Sequence, residues 1–155
     1  MSQTKTISQS ALAGFVAESN HIEGIGEVLE SEVIATANFL GIPEVRVRDL
    51  SILVSKLQPG AKLRTEVGLD VRVGGHVPMP GGPEVEPALA HILHSTDGDP
   101  FDVHCRYEIL HPFTDGNGRS GRALWLWMMT KQHRVNSELG FLHTWYYQSL
   151  NRERS

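Results

Sequence analysis

The sequence predicts an all-α domain, a helical bundle carrying one small β-hairpin, on three observations. Apolar residues recur at helical spacing through most of the chain. One short segment, Val71-Arg72-Val73-Gly74-Gly75-His76-Val77, alternates instead around a two-glycine turn, which is the signal of a hairpin. A third segment, His111 to Arg122, gathers glycines, charges and an amide just ahead of an apolar run. With 155 residues, 40% of them hydrophobic and 21% charged, the chain is long enough for one core and has the make-up of a globular domain. No repeat, low-complexity tract or second domain is visible, so residues 1–155 read as a single unit.

The elements follow in order. Residues 1–7 form a polar tail. Ala11, Leu12, Phe15 and Val16 predict a helix over Ser8–Glu18. In the next stretch, local physics makes Ser19 an N-cap and Gly24 a helix stop. Amphipathic helices are expected over Glu27–Leu40, ending at Gly41-Ile42-Pro43, and over Glu44–Leu57, ending at Pro59-Gly60. After the hairpin, Pro78, Pro80 and Pro83 with Gly81-Gly82 forbid regular structure. Helix formers resume from Glu84 to His94, with Pro87 tolerable only in the first turn. Asp99 caps a further helix with Pro100 at its first position, running to Leu110. Ala123 to Met129 is apolar all round and should be the central buried helix. Phe141 to Leu150, with its aromatic cluster, reads as a last helix before a charged end.

Bulk properties narrow the partners. A net charge of −4 offers no basic field for a nucleic-acid backbone or an anionic membrane. One cysteine, Cys105, excludes an internal disulfide and suits a reducing compartment. No apolar run approaches a membrane span, and the start MSQTKTISQS lacks the core of a signal peptide, so a cytoplasmic location is expected. Among the histidines, His91 and His94 lie three apart on a separate helix without the cysteine or acidic pattern of a zinc site. His104 reads as a partly buried helper beside the loop that follows.

The run His111-Pro112-Phe113-Thr114-Asp115-Gly116-Asn117-Gly118-Arg119-Ser120-Gly121-Arg122 has the parts needed to handle a nucleoside triphosphate. Glycines let backbone N–H groups approach an anion. Asp115 is a hard oxygen ligand of the kind Mg²⁺ takes when it also carries phosphate oxygens. Arg119 and Arg122 share a face of a helix starting near Gly118, and that helix turns its N-terminal dipole toward the same anion. His111 is a proton acceptor at the other end of the loop. A plain Gly/Asn turn between helices needs two or three of these residues, not all of them.

This run resembles the signature of the Fic family, H-x-F-x-[D/E]-G-N-G-R-x-x-R, at every defined position. His104 to Leu110 also resembles the helix that leads into it, and the similarity in landmarks covers about Ser10 to Leu150. Ser19-Asn20-His21-Ile22-Glu23-Gly24 resembles the [S/T]-x-x-x-E-[G/N] inhibitory motif of the Fic class that carries an inhibitory helix at its N-terminal end, here residues 8–25.

The resemblance implies a protein adenylyltransferase that moves AMP from ATP to a Tyr, Thr or Ser hydroxyl of a target protein. His111 would take the proton and Asp115 would hold Mg²⁺. Gly116, Asn117 and Gly118 would cradle the α- and β-phosphates, with Asn117 counted among the catalytic groups. Arg119 would hold the β-phosphate and Arg122 the γ-phosphate. Ser19, Glu23 and Gly24 would form the inhibitory motif, Glu23 competing for Arg122. The 70–79 hairpin (Val71, Arg72, Val73, Gly74, Gly75, His76) would be the flap over the active-site loop, binding the target by strand addition. Phe113 would anchor the loop in the core. A lysine in place of Gly118 would instead resemble the phosphate-transferring Doc branch. Two other readings stay open: a de-AMPylating enzyme using the same site, and a non-catalytic nucleotide-binding or toxin-type module. Self-association, including the chain serving as its own target, is left open.

Overall fold

A computed structural model describes residues 7–134. Its element order is α1 (Gln9–Ile22), α2 (Glu30–Leu40), α3 (Val47–Leu57), α4 (Val85–Leu93), α5 (Pro100–Leu110) and α6 (Asn117–Lys131). The expected helix over 141–150 lies outside the described residues. No helix among the described residues is long and apolar enough to cross a membrane.

Four of the helix starts, those of α1, α2, α3 and α5, have a side-chain cause. The Ser8 hydroxyl accepts from the Ala11 amide at 3.2 Å, and the Asp99 carboxylate accepts from the Asp102 amide at 2.9 Å with Pro100 following at the first position. Helices α2 and α3 start at Leu29 and Arg46, which carry no acceptor side chain. There the acid three residues on reaches back. Glu32 accepts from the Leu29 amide and Asp49 from the Arg46 amide, each at 2.8 Å, which is the reciprocal half of a capping box.

Helix α1 runs past the expected stop at Glu18 and ends in a Schellman turn. Gly24 adopts φ 77°, the Ile25 amide bonds the Asn20 carbonyl at 2.9 Å, and the Gly24 amide bonds the His21 carbonyl at 3.0 Å. Ser19 is therefore helical and not an N-cap, while Gly24 does stop the helix.

Helix α6 is the axis of the bundle, touching α1, α2, α3 and α5. Ala123 to Met129 is buried on every face. Two apolar clusters meet on it. The larger joins Phe39, Leu50, Leu53, Val54, Leu89, Val103, Tyr107 and Phe113 to Leu124, Trp127 and Met128. The smaller joins Leu12, Phe15 and Val16 of α1 to Val33, Trp125, Leu126 and Met129. The Trp127 indole donates to the Ile42 carbonyl at 2.8 Å, which satisfies its one polar group.

The expected β-hairpin over 70–79 is reduced to one bridge. Val73 and His76 exchange backbone bonds of 3.0 and 2.9 Å around Gly74, whose φ is 59°. The next hydrogen-bonded pair of such a ladder would set Val71 against Pro78. Proline has no N–H to give, so the ladder stops after one rung. A second isolated bridge, Leu63 against Phe113, ties the segment after α3 to the loop between α5 and α6.

Candidate active site

The loop from His111 to Gly116 is built by its two flanking helices. His111 is the C-cap of α5 and sits in the left-handed region, φ 51° and ψ 63°. Such a conformation is uncommon for a residue with a side chain and persists only where its surroundings enforce it. Beyond it the backbone pairs with the 62–64 segment: the Arg64 amide bonds the Pro112 carbonyl and the Thr114 amide the Lys62 carbonyl, both at 2.9 Å. Phe113 is 1% exposed and anchors the loop. Asn117 staples it, its side-chain oxygen accepting from the Phe113 amide and its side-chain nitrogen donating to the Phe113 carbonyl, each at 2.8 Å. The expected phosphate-facing amide is thus a group already bonded to the loop backbone. Tyr107 and Ser120 close the base of the loop through a 2.7 Å hydroxyl pair, and Ser120 also donates to the Gly116 carbonyl at 2.8 Å. Burial pushes the Tyr107 phenol far above its ordinary range, so it stays neutral. His104 is fully buried and bonds the Gly121 carbonyl at 2.9 Å, fastening α5 to α6. At Gly121 a Cβ would collide with the Glu108 carboxylate and press on the Tyr107 ring, so the glycine leaves room for both side chains between α5 and α6.

A cavity of about 670 Å³ opens on this loop. It brings together His111, Asp115, Gly116, Asn117, Gly118, Arg119 and Arg122, with Glu23 at the end of α1 and Val71, Arg72 and Val73 also in its lining. Gly116 is the N-cap of α6 at φ 77°, and no side chain caps that helix. The first N–H groups of α6 lack intrahelical acceptors, as at any helix start, and they lie where the cavity is.

His111 is half-buried, and its Nδ1 lies 3.2 Å from the Glu108 carbonyl. A carbonyl only accepts, so Nδ1 carries the hydrogen and Nε2 keeps the lone pair. Burial lowers the imidazolium's pKa from its ordinary value. The bond to Glu108 opposes this, the charges of Arg64 and His76 add to it, and the Glu23 carboxylate opposes it.

The two arginines are both engaged. Arg122, 3% exposed, donates to the Ser19 hydroxyl at 2.8 Å, to the Ser19 carbonyl at 3.0 Å and to the Glu23 carboxylate at 2.8 Å. Gly24 supplies the turn that leaves Glu23 at this spot. The Glu23 carboxylate lies over Gly118, where an added Cβ would collide with it. An acid thus occupies the space in front of the α6 N-terminus. Arg119 is buried between Glu32 of α2, at 3.1 Å, and Gln58 beyond α3, at 2.7 Å. Glu32 in turn accepts from Asn20 of α1 at 3.2 Å. Sequence reading missed Asn20, Glu32 and Gln58. The one available signal was Glu32 as an acid three residues past a helix start.

Asp115 is exposed at the rim, one oxygen accepting from the Gly116 amide at 2.8 Å. No group of three or more His, Cys, Asp and Glu that could hold a metal occurs among the described residues. A single carboxylate suits a Mg²⁺ that arrives on phosphate oxygens and keeps its waters, and does not suit an all-protein cage. His76, expected on the flap, donates from Nε2 to the Ile109 carbonyl at 2.9 Å and so links the turn to α5.

A search of curated proteins found no match to this chain. A model of the Fic/DOC family matches residues 47–129, from the start of α3 almost to the end of α6. The match takes in the whole loop and both arginines, and α1 and α2 precede it. On that match, which covers more than half its length, the chain belongs to the Fic/DOC family.

Proposed function

We propose that the chain is a protein adenylyltransferase of the Fic class with an N-terminal inhibitory helix, and that Glu23 holds it idle. Fic/DOC domains are generally associated with AMPylation and related nucleotidyl transfer. The observation that carries the finer reading is the 2.8 Å ion pair between Glu23 and Arg122, made inside the cavity that holds His111.

In the transfer, His111 Nε2 accepts the proton of a target hydroxyl as its oxygen attacks the α-phosphorus of ATP. The bond from that phosphorus to the bridging oxygen breaks and pyrophosphate leaves. The α6 N-terminus and the Gly116–Gly118 backbone lower the energy of the developing charge, as an oxyanion hole does. Arg122 holds the γ-phosphate once Glu23 withdraws, and Arg119 reaches the β-phosphate while braced by Glu32 and Gln58. Asp115 would hold a Mg²⁺ that arrives with the triphosphate, and that ion would supply neutralisation of phosphate charge. The 70–79 segment receives the target strand. Its Val73–His76 rung supports this, since it leaves Val71 and Arg72 without a ladder partner.

The test is incubation with α-labelled ATP, Mg²⁺ and a cell lysate. Label should appear on protein, disappear in His111→Ala and rise in Glu23→Gly. One observation favours a second reading. The Glu23 side chain is 41% exposed while lining the same cavity, so it is accessible to a water that would attack an AMP-modified hydroxyl. Release of AMP from modified protein, lost in Glu23→Gly, would establish removal over transfer. Nucleotide affinity with neither reaction would leave a binding module.

A further inference from the structure

Arg64 is an unused cation at the centre of the molecule. It is fully buried, and its guanidinium makes four hydrogen bonds, each to a backbone carbonyl and none to a carboxylate. Nε donates to His111 at 2.7 Å, and the terminal nitrogens donate to Leu110 at 2.9 Å, Leu69 at 3.1 Å and Met79 at 2.8 Å. Its own backbone N–H bonds the Pro112 carbonyl at 2.9 Å. One residue therefore holds three consecutive carbonyls, 110 to 112, across the turn that carries His111. The same guanidinium holds the Leu69 carbonyl just ahead of the 70–79 segment and the Met79 carbonyl at its end.

We propose that Arg64 is a positioning residue that fixes the left-handed turn at His111 and, through the same guanidinium, sets the two feet of the flap against it. This deepens the transfer reading, since it rests on His111 being the base and on residues 70–79 being the target-binding segment.

The physical grounds are these. Carbonyls at the end of α5 have no intrahelical donors, and a cation there also meets the negative end of the helix dipole. His111 has φ 51°, a conformation that needs outside support. A planar fork with five N–H groups can span carbonyls from separate segments, whereas a lysine is a point charge with three donors. A buried arginine serving only the core would have no need to join these particular segments. Here the bonds converge on the proposed base and on both ends of the proposed target site.

The experiment uses the full chain without ATP: wild type, Arg64→Lys and Arg64→Gln. It follows amide exchange along residues 62–82 and the imidazole titration of His111 by NMR. The charged or titratable groups facing His111 are Arg64, His76 and Glu23. Only the first is altered, and its removal in Arg64→Gln should raise the His111 midpoint. In both variants the Val73 and His76 amides should exchange roughly tenfold faster, in line with loss of bonds to a charged donor, while α1 amides keep their rates. Unchanged exchange and midpoint in folded variants would overturn the proposal. So would acceleration spread evenly over the core, or failure of both variants to fold, since either makes Arg64 a general core residue. Neither readout uses ATP, so a negative transfer assay and a negative result here are separate outcomes.

Discussion

Replacing Glu23 by Gln keeps the side chain's size and removes its charge, which isolates the electrostatic part of the proposed inhibition. In the wild type, Arg122 is 3% exposed and bonded to Glu23 at 2.8 Å, while the Glu23 side chain is 41% exposed. A hydrogen bond to a charged group is worth about 1.5–3 kcal/mol when shielded. Solvent at Glu23 screens part of that, leaving about 1–2 kcal/mol. A triphosphate competing for Arg122 must displace this pair. Removing the charge should therefore tighten MgATP binding by about 5- to 30-fold. The Ser19 hydroxyl and carbonyl still hold Arg122 in place, so the arginine should not wander. Calorimetric titration of wild type, Glu23→Gln and Glu23→Gly with MgATP measures this directly. Equal affinity in all three, with no gain in labelling by α-labelled ATP, would refute the competition. A gain in Glu23→Gly alone would show that bulk over Gly118, not charge, is what obstructs the nucleotide.

Three further outcomes are expected. Gly118→Ala should break the Glu23–Arg122 pair, because the new methyl collides with the Glu23 carboxylate, whose side chain is 41% exposed and able to swing outward; the NMR signals of the Arg122 guanidinium check it. Glu32→Gln should lower stability by about 3 kcal/mol, read from urea unfolding, since it strips a buried arginine of its anion and weakens the tie to Asn20. The pH dependence follows from the depressed pKa of His111. The neutral imidazole is the working form, so the transfer rate should be flat near neutrality and fall with an acid limb whose midpoint lies below the ordinary histidine value. Because the folded pKa is the lower one, the unfolded chain binds the proton first. The stability that His111 contributes is then complete above the ordinary histidine value and is lost as pH falls through the folded one. Thermal unfolding of wild type and His111→Ala at several pH values reads that difference.

The chemistry-bearing residues of the loop were legible because their types are unusual together and lie close in sequence. The apolar helix that follows was legible from its all-round pattern. Boundaries were less so. Apolar spacing ends the first helix at Glu18, yet Ser19 and Asn20 continue it and are buried. They are buried because they bond Arg122 and serve Glu32, partners that lie far along the chain or on another helix. Helices α2 and α3 start three residues later than their first helix-forming residues suggest, at the positions where Glu32 and Asp49 reach back. The hairpin signal was sound for the turn and failed for its arms, because Pro78 lacks the donor that a second rung needs. Arg64 was invisible. In an irregular stretch an arginine reads as solvated, and nothing local announces carbonyls forty-odd residues away.

The two apolar clusters on α6 have a mechanical consequence. The apolar side chains of α1 pack in the smaller one, while the loop residue Phe113 and the helix ahead of it are rooted in the larger. Lifting α1 would uncover Leu12, Phe15 and Val16 and withdraw the acid, yet leave α3 to α6 seated on one another. The brake rests on one side of α6 and the loop on the other, and releasing the first also uncovers Trp125, Leu126 and Met129 and takes the Ser19 bonds from Arg122.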